Sequence, residues 1–152
     1  MINNVSISTR RLRAWLRLLR LVRANENHLR EFLRLNYDTT LPRFDVAAAL
    51  YRQNEPTKMS DLSKMLLVSN GNATTVVDRL EKEGKARRIA DGADRRVVLV
   101  EMTDEGRTWF AEIAKAHENE VNTLFSDLTE QDLDQLRTVI KIAERKNDDN
   151  PR

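Results

Sequence analysis

The chain has 152 residues, of which 40% are hydrophobic and 33% charged, and it contains four glycines, three prolines and no cysteine. This composition predicts one globular domain and excludes an all-β fold, which needs turn residues about every 8–12 positions. It also excludes disulfides and thiolate metal sites. The N-terminal segment lacks the apolar core of a signal peptide and no run is long enough to span a membrane, so we expect a cytoplasmic protein without membrane contact.

The charges are distributed unevenly, although the formal net charge is only +2. Residues 1–30 contain seven arginines and a single acid, Glu26, whereas residues 79–96 contain seven more basic residues and the last third is acidic. Two basic segments indicate a polyanionic partner, and basic surfaces that contact only solvent are the equally common alternative.

The first third of the chain predicts two helices. Apolar residues recur at helical spacing over 9–36, which predicts one long helix. Residues 39–42 are expected to form a break, because the residue before Pro42 is biased away from helical geometry. A second helix is predicted over 43–53.

Two shorter helices are expected next, at 60–66 and 70–83, joined by a tight turn. Ser60 has the side chain of a helix N-cap, and Gly84 stands where a glycine typically ends a helix. The residues of the second helix that should face inward recur at i, i+3, i+4 and i+7: Ala73, Val76, Val77 and Leu80.

A β-hairpin and two more helices complete the chain. Residues 86–90 and 96–102 predict the two strands, the second of which is β-branched and apolar. Thr103 is predicted to cap a long helix, and Thr129, with an acid three positions later, to cap the last one. The expected fold is mainly α with a small β-hairpin wing: a winged helix-turn-helix flanked by long N- and C-terminal helices.

The exposed face of the helix at 70–83 is polar and suits the major groove of DNA. Asn72, Thr75 and Arg79 lie on this face, and Asn70 belongs to the first turn. Asn can pair with adenine, Thr can contact a thymine methyl group, and Arg can pair with guanine or with a phosphate. The alternative is an ordinary surface helix whose Asn and Ser residues only cap it.

The tip of the hairpin carries two adjacent arginines, Arg95 and Arg96, close to Asp91 and Asp94. A basic hairpin after such a helix can reach the adjacent minor groove, where narrow A·T-rich DNA attracts arginine. Asp94 is expected to orient a guanidinium by a charge-assisted hydrogen bond. The alternative is a charged hairpin that only keeps an edge strand soluble.

Four short motifs occur together between residue 61 and Gly106: VS-x-x-x-A-T, DRLEKEG, D-x-x-D-R-R and V-x-M-T-D-E-G. With these motifs, the helix order and the length, the chain resembles the MarR family of bacterial transcriptional regulators over essentially its whole length. Two residues depart from the family's pattern. Lys85 stands where many members have an apolar residue and Thr75 where Arg or Gly is common, which leaves the base preference open.

The resemblance implies a single domain over 1–152 that forms a homodimer on a pseudo-palindromic operator. Residues 9–36 and 103–146 would supply the dimerisation helices, and 43–102 the winged helix-turn-helix. The amphipathic helices agree, because a winged helix alone cannot cover all their apolar faces; an intramolecular bundle is the alternative. The DNA contacts that the resemblance implies are the major groove for Asn72, Thr74 and Thr75, the minor groove for Arg96 held by Asp94, the DNA backbone for Arg95, and phosphates for Ser60, Lys64 and Ser69.

The resemblance also implies a small effector, often an aromatic or phenolic acid, between the dimer helices and the winged domain. The candidate lining residues, each of which could instead belong to the core, are Trp15, His28, Phe32, Tyr37, Phe44 and Tyr51. Arg13, Arg17 and Arg20 share one helix face and suit the phosphates of an acyl- or aroyl-coenzyme A thioester. The alternatives for these arginines are a solvated face or a contribution to DNA binding.

The sequence therefore predicts a ligand-responsive transcriptional regulator, a repressor that its effector releases from DNA. It contains no nucleophile elbow, phosphate-binding glycine loop or HExxH motif, so we expect neither an enzyme nor a cofactor. His28 and His117 lack the spaced partners of a metal site. The alternatives are a non-sequence-specific architectural DNA-binding protein and a winged helix that only binds other proteins.

Overall fold

A computed structural model describes residues 5–66, 73–94 and 96–148 of the chain. Helices dominate it, and a small antiparallel sheet accompanies them, which confirms the predicted mainly α fold with a β-hairpin. The elements in chain order are α1 (Ile7–Tyr37), α2 (Leu41–Tyr51), β1 (Thr57–Lys58), α3 (Met59–Met65), α4 (Ala73–Lys82), β2 (Ala86–Ala90), β3 (Val98–Met102), α5 (Asp104–Leu124) and α6 (Glu130–Asp148). None of these helices is long and apolar enough to cross a membrane.

Internal contacts divide the chain into two units, which meet within α5. The first unit extends to His117 and the second begins at Glu118. The first unit contains the sheet, the first four helices and the start of α5.

Helix α1 is slightly longer than predicted and is largely solvent-exposed. It begins after Ser6, whose Oγ accepts a hydrogen bond from the Thr9 N–H at 3.2 Å. It ends at Asp38, which adopts the left-handed conformation with φ 47°. Leu33 is the buried residue of the helix. Its large exposed apolar side chains are Ile7, Leu12, Trp15, Leu16, Leu18, Leu21, Val22 and Leu35.

Helix α2 begins two residues before the predicted start. Thr40 is its N-cap and accepts a hydrogen bond from the Arg43 N–H at 3.3 Å. Pro42 therefore lies inside the first turn of α2 and does not interrupt this helix. The predicted break between the two helices is confirmed at residues 38–40, but the prediction was wrong to include Leu41 and Pro42. The N–H groups of a first turn have no intrahelical acceptor, so a proline there sacrifices no bond.

The prediction that Ser60 caps α3 was also wrong. The helix begins at Met59, and Lys58 occupies the cap position without a side-chain hydrogen bond. The reason is β1, a strand of two residues that was not predicted and that runs directly into the helix. Thr57 of this strand pairs with Val100 and thereby sets the start of α3.

The core of the first unit lies between α2, α3, α4, the sheet and α5. The inward-facing residues predicted for α4 are confirmed: Ala73, Val77 and Leu80 are buried and Val76 packs against the core in part. The other fully buried aliphatic side chains of this cluster include Val46, Leu62 and Val100.

The sheet has the strand order β1-β3-β2 and is antiparallel throughout. Strand β2 has the predicted bounds, whereas β3 begins at Val98, two residues later than predicted. The delay arises because the Val97 N–H donates to the Asp94 carbonyl oxygen at 3.0 Å and closes a turn. Arg96 consequently belongs to the turn of the β2–β3 hairpin.

The connection from α4 to β2 packs tightly against the start of α5. Gly84 has φ +71°, and the Gly84 and Lys85 N–H groups donate to the carbonyl oxygens of Glu81 and Leu80 at 2.9 and 2.8 Å, which is a Schellman C-cap. The predicted cap of α5 is confirmed, because Thr103 Oγ1 accepts a hydrogen bond from the Gly106 N–H at 3.0 Å. A Cβ atom added at Gly106 would overlap the Lys85 carbonyl oxygen.

In the second unit, α6 begins with the predicted capping pair. The Asp132 N–H donates to Thr129 Oγ1 at 3.2 Å, and the Thr129 N–H donates to Asp132 Oδ2 at 2.9 Å. The helix extends to Asp148, beyond the predicted end. Its large exposed apolar side chains are Leu133, Val139, Ile140 and Ile142.

Candidate nucleic-acid interface

The starts of α3 and α4 and the β2–β3 hairpin border one concavity of about 550 Å³, here called the hairpin hollow. Its lining residues are Lys58, Met59, Ser60, Thr74, Arg88, Arg96, Val97 and Val98. Three of the residues predicted to contact DNA, Ser60, Thr74 and Arg96, thus meet around a single surface feature although 36 positions separate the first from the last.

The predicted contact between Asp94 and Arg96 is present at the tip of the hairpin. Asp94 Oδ1 accepts hydrogen bonds from the Arg96 main-chain N–H at 2.9 Å and from Arg96 Nε at 3.3 Å. The main-chain bond, followed by the side-chain bond, holds the pKa of Asp94 below its ordinary value. Because the Arg96 side chain is 91% exposed, its guanidinium is anchored at one end and accessible over the rest.

The rest of the hairpin tip is held by one hydrogen bond to the Asp91 side chain and one between main-chain groups. Asp91 Oδ1 accepts a hydrogen bond from the Ala93 N–H at 3.1 Å, and the Asp91 N–H donates to the Val97 carbonyl oxygen at 3.3 Å. Arg95 lies outside the described residues.

Helix α4 presents Thr74, Thr75 and Arg79 at its exposed side. The Arg79 Nε donates to Glu83 Oε1 at 2.6 Å, one turn further along the helix. Of the other residues predicted to contact DNA from this segment, Ser69, Asn70 and Asn72 lie outside the described part of the chain.

Helix α3 contributes two exposed side chains that were predicted to contact phosphates. Ser60 lies in its first turn and lines the hairpin hollow. Lys64 lies near the end of α3, and its Nζ is 3.4 Å from Asp61 Oδ1. This ion pair is exposed, so it restricts Lys64 only weakly.

Arg88 joins the hairpin to α4 and was not predicted to have a role. Its Nη2 lies 2.5 Å from Asp78 Oδ1 and its Nη1 lies 2.5 Å from Glu81 Oε2. Burial opposes the charged form, but the hydrogen bonds with Asp78 and Glu81 outweigh it and raise the pKa of Arg88. The strand register that brings Arg88 onto α4 is a tertiary feature, and the sequence carries no signal for it.

Glu83, directly after α4, was also not predicted to have a role. Its carboxylate accepts from Arg79, from Arg43 of α2 at 3.3 Å and from Lys85 at 3.0 Å. Burial opposes ionisation, yet the hydrogen bonds with Lys85 and Arg79 keep the pKa of Glu83 below its ordinary value. The Lys85 ammonium group also lies 4.0 Å from the ring centroid of Trp109, within the range of a cation–π interaction.

Four of the aromatic residues predicted to line an effector site, Phe32, Tyr37, Phe44 and Tyr51, pack against other aromatic rings, whereas Trp15 is exposed on α1. Phe44 lies 5.3 Å from the Phe110 ring and 4.3 Å from the His117 ring, and Tyr51 lies 5.0 Å from Phe110. The Phe32 and Tyr37 rings are 5.9 Å apart. His28 is exposed on α1, four residues before Phe32.

The arginines of α1 form a separate basic surface. Arg10, Arg13 and Arg17, with Ala14 between them, border a shallow hollow of about 230 Å³. Arg20 continues the same helix face but does not line the hollow. Among residues 5–66, 73–94 and 96–148, no group of three His, Asp or Glu side chains could hold a metal ion.

Comparison with known proteins agrees with this arrangement. The family model described as MarR family matches residues 40–98. An uncharacterized HTH-type transcriptional regulator of Bacillus subtilis, YkoM, is 34% identical over 66% of this chain and 64% of its own length. The transcriptional repressor MprA of Escherichia coli is 31% identical over 59% of this chain and 51% of its own length. The chain thus spans less than two thirds of either curated relative.

A solved structure matches over a longer part of the chain. The crystal structure of a MarR family transcriptional regulator from Silicibacter pomeroyi has a TM-score of 0.80 and 26% identity, and the match covers 93% of this chain and 98% of that one. Residues 40–98 therefore match the MarR family in sequence, and the winged-helix fold of the chain is similar to that of a MarR family transcriptional regulator.

Proposed function

We propose that this protein is a transcriptional regulator, not an enzyme, and that its winged helix-turn-helix binds double-stranded DNA. The observation that carries the proposal is the hairpin hollow, around which Ser60, Thr74 and Arg96 converge from three elements. A helix start beside an anchored, exposed arginine on a hairpin suits one major groove and the adjacent minor groove.

Each proposed DNA contact follows from the chemistry of its side chain. Thr74 and Thr75 meet base edges in the major groove, Arg96 enters the minor groove with Asp94 as its anchor, and Ser60 and Lys64 contact phosphates. The same proposal includes Ser69, Asn70, Asn72 and Arg95.

We propose further that the functional species is a homodimer, with 9–36 and 103–146 as dimerisation helices around the DNA-binding region at 43–102. The exposed apolar side chains of α1 support this, because eight large apolar side chains of one helix are exposed and a partner chain would bury them. A two-fold dimer recognises a pseudo-palindromic operator, whose half-sites lie about one helical turn apart.

For its regulation we propose repression that an effector relieves, the effector being an aromatic acid or its coenzyme A thioester. MprA carries the name of a transcriptional repressor, which supports repression rather than activation. Arg13, Arg17 and Arg20 suit the thioester phosphates, and His28, Phe32, Tyr37, Phe44 and Tyr51 remain the proposed lining. Such an effector acts by binding more tightly to a dimer whose helices do not fit successive major grooves.

Selection of bound sequences from a pool of random duplexes tests the proposal. We expect enrichment of one sequence with two inverted half-sites about 10 base pairs apart. Recovery of unenriched sequences would contradict it and would indicate an architectural DNA-binding protein instead.

A further inference from the structure

The carboxylate of Glu83 is shared by cations from three parts of the fold. Oε1 accepts from Arg79 Nε of α4 at 2.6 Å and from Arg43 Nη1 of α2 at 3.3 Å. Oε2 accepts from Lys85 Nζ at 3.0 Å, beyond the Gly84 turn. One negative charge at the end of α4 therefore has three positive partners.

Arg88 of β2, which lies against α4, shows the reverse: one cation with two carboxylate partners. A single guanidinium there serves two carboxylates, those of Asp78 and Glu81, and its Nη2 also approaches the Thr74 carbonyl oxygen at 3.4 Å. If the Arg88 side chain turned away, Asp78 and Glu81 would both lose their cation, and Glu81 would keep only the hydrogen bond that its Oε1 accepts from the Arg88 main-chain N–H at 3.1 Å. Arg88 therefore remains on α4, even though it lines the hairpin hollow.

Arg79 can leave its partner without such a penalty. The side chain of Glu83 is only 21% exposed, so an unpaired carboxylate there would be costly. Arg43 and Lys85 would still neutralise it after Arg79 had turned away. These two are themselves 19% and 21% exposed, whereas the Arg79 side chain is 59% exposed, one helical turn after Thr75.

We propose that Glu83 is a positioning residue that holds Arg79 along α4 in the free protein and releases it to a DNA phosphate in the complex. Arg43 and Lys85 keep the carboxylate paired when this happens. The inference rests on the proposed DNA binding. Arg79 is the arginine of this region that changes its partner when DNA binds, whereas Arg88 keeps its carboxylate partners.

The salt dependence of DNA binding tests this exchange in the full chain. Because each neutralised phosphate contributes a slope of about 0.9 to the plot of log affinity against log salt, Arg79→Gln should lower the slope by about 0.9 per bound protomer. Replacing an acidic residue, as in Glu83→Gln, should not lower this slope. The probe is the sequence selected from random duplexes, titrated at several salt concentrations.

A double-mutant cycle separates the release of Arg79 from a general charge effect. Glu83→Gln frees Arg79 from an ion pair of a kind that stabilises helices weakly, so we expect about twofold tighter binding. In the Arg79→Gln background the same change should have no effect. Glu105→Gln is the matched control, because Glu105 Oε2 lies near Gly84 and the substitution removes an equal charge. Arg43→Gln should weaken binding, since Lys85 alone then replaces Arg79.

Two results would overturn the inference while leaving the proposed function intact: a wild-type slope for Arg79→Gln, or an equal gain from Glu83→Gln with and without Arg79. A wild-type slope for Arg79→Gln overturns the inference even if Glu83→Gln fails to fold, as judged by circular dichroism. Failure of the wild-type protein to bind any duplex would instead remove the proposed function, and the inference with it.

Discussion

Asp94 restrains Arg96 through two hydrogen bonds to one oxygen atom, from the main-chain N–H at 2.9 Å and from Nε at 3.3 Å. The contact lies within one turn of the chain and so forms without help from the core. It fixes the start of the arginine side chain, while the exposed remainder of the guanidinium extends from the hairpin. A side chain that is oriented before binding loses less conformational entropy when it binds.

Arg96→Ala should reduce affinity for the selected duplex by about 5- to 150-fold, because an inserted arginine is lost. Asp94→Asn should cost less, since it weakens only the anchor. Fluorescence anisotropy measures both, and Arg87→Ala is the control, because Arg87 is exposed on β2 and pairs with Glu101. Wild-type affinity for Arg96→Ala would exclude Arg96 from the interface.

Arg88→Gln should destabilise the fold, because Asp78 and Glu81 then lose their shared cation and repel each other. We expect the free energy of unfolding to fall by about 1–3 kcal/mol, measured by urea denaturation. Arg87→Gln, on the same strand, breaks a single ion pair whose arginine is 64% exposed and should lower the free energy of unfolding by less than Arg88→Gln does. Equal effects of the two substitutions would contradict the bridging role of Arg88.

Gly106→Ala should destabilise the protein by about 1–3 kcal/mol or more, because its Cβ atom has no room between α5 and the Gly84 turn. The Cβ atom would overlap the Lys85 carbonyl oxygen and lie 2.8 Å from the carbonyl carbon. Gly92→Ala, where no atom lies within 4 Å, is the matched control. Thermal unfolding compares the two, and a Gly106→Ala protein as stable as Gly92→Ala would refute this packing.

Burial lowers the pKa of His117 from its ordinary value of 6.5. The imidazole, stacked on Phe44 at 4.3 Å, is therefore more readily protonated in the unfolded chain than in the folded one. Its contribution to stability is present above about pH 6.5 and is lost as the pH falls through the lower folded pKa. Urea denaturation between pH 7.5 and 5.5 should show this loss, and His117→Gln should reduce it. An unchanged pH dependence in that variant would assign the loss to other groups.

Trp15→Glu should convert the proposed dimer into monomers, because a charge placed in the exposed apolar surface of α1 opposes burial by a partner chain. Sedimentation equilibrium measures the change in mass. Arg10→Glu is the control, because Arg10 lies at the same end of the helix but in the basic surface that it forms with Arg13 and Arg17. It should leave the mass unchanged. A monomeric wild-type protein would contradict the dimer.

Features that depend on local chemistry could be predicted from the sequence. The Gly84 turn, the Thr103 cap of α5 and the Asp94–Arg96 contact each involve residues within a few positions of one another. The inward face of α4 also followed from its 3.6-residue periodicity.

Features that depend on tertiary pairing could not be predicted in this way. Strand β1 has two residues, too few for any periodicity, and its pairing with β3 moved the start of α3 away from the expected Ser60 cap. The Arg88 bridge and the three partners of Glu83 join residues as much as 40 positions apart. The composition of residues 79–96 showed that this segment is basic. It did not distinguish Arg88, which bridges two carboxylates, from Arg79, which we propose changes its partner.

The central claim is sequence-selective DNA binding under the control of an effector, and one anisotropy titration tests it most directly. The protein is titrated against the DNA upstream of its own gene and against a scrambled duplex, at physiological salt, with and without aromatic acids and their coenzyme A thioesters. We predict tight binding to the first duplex only, released by one of the compounds. Equal affinity for both duplexes, unchanged by every compound, would contradict the account.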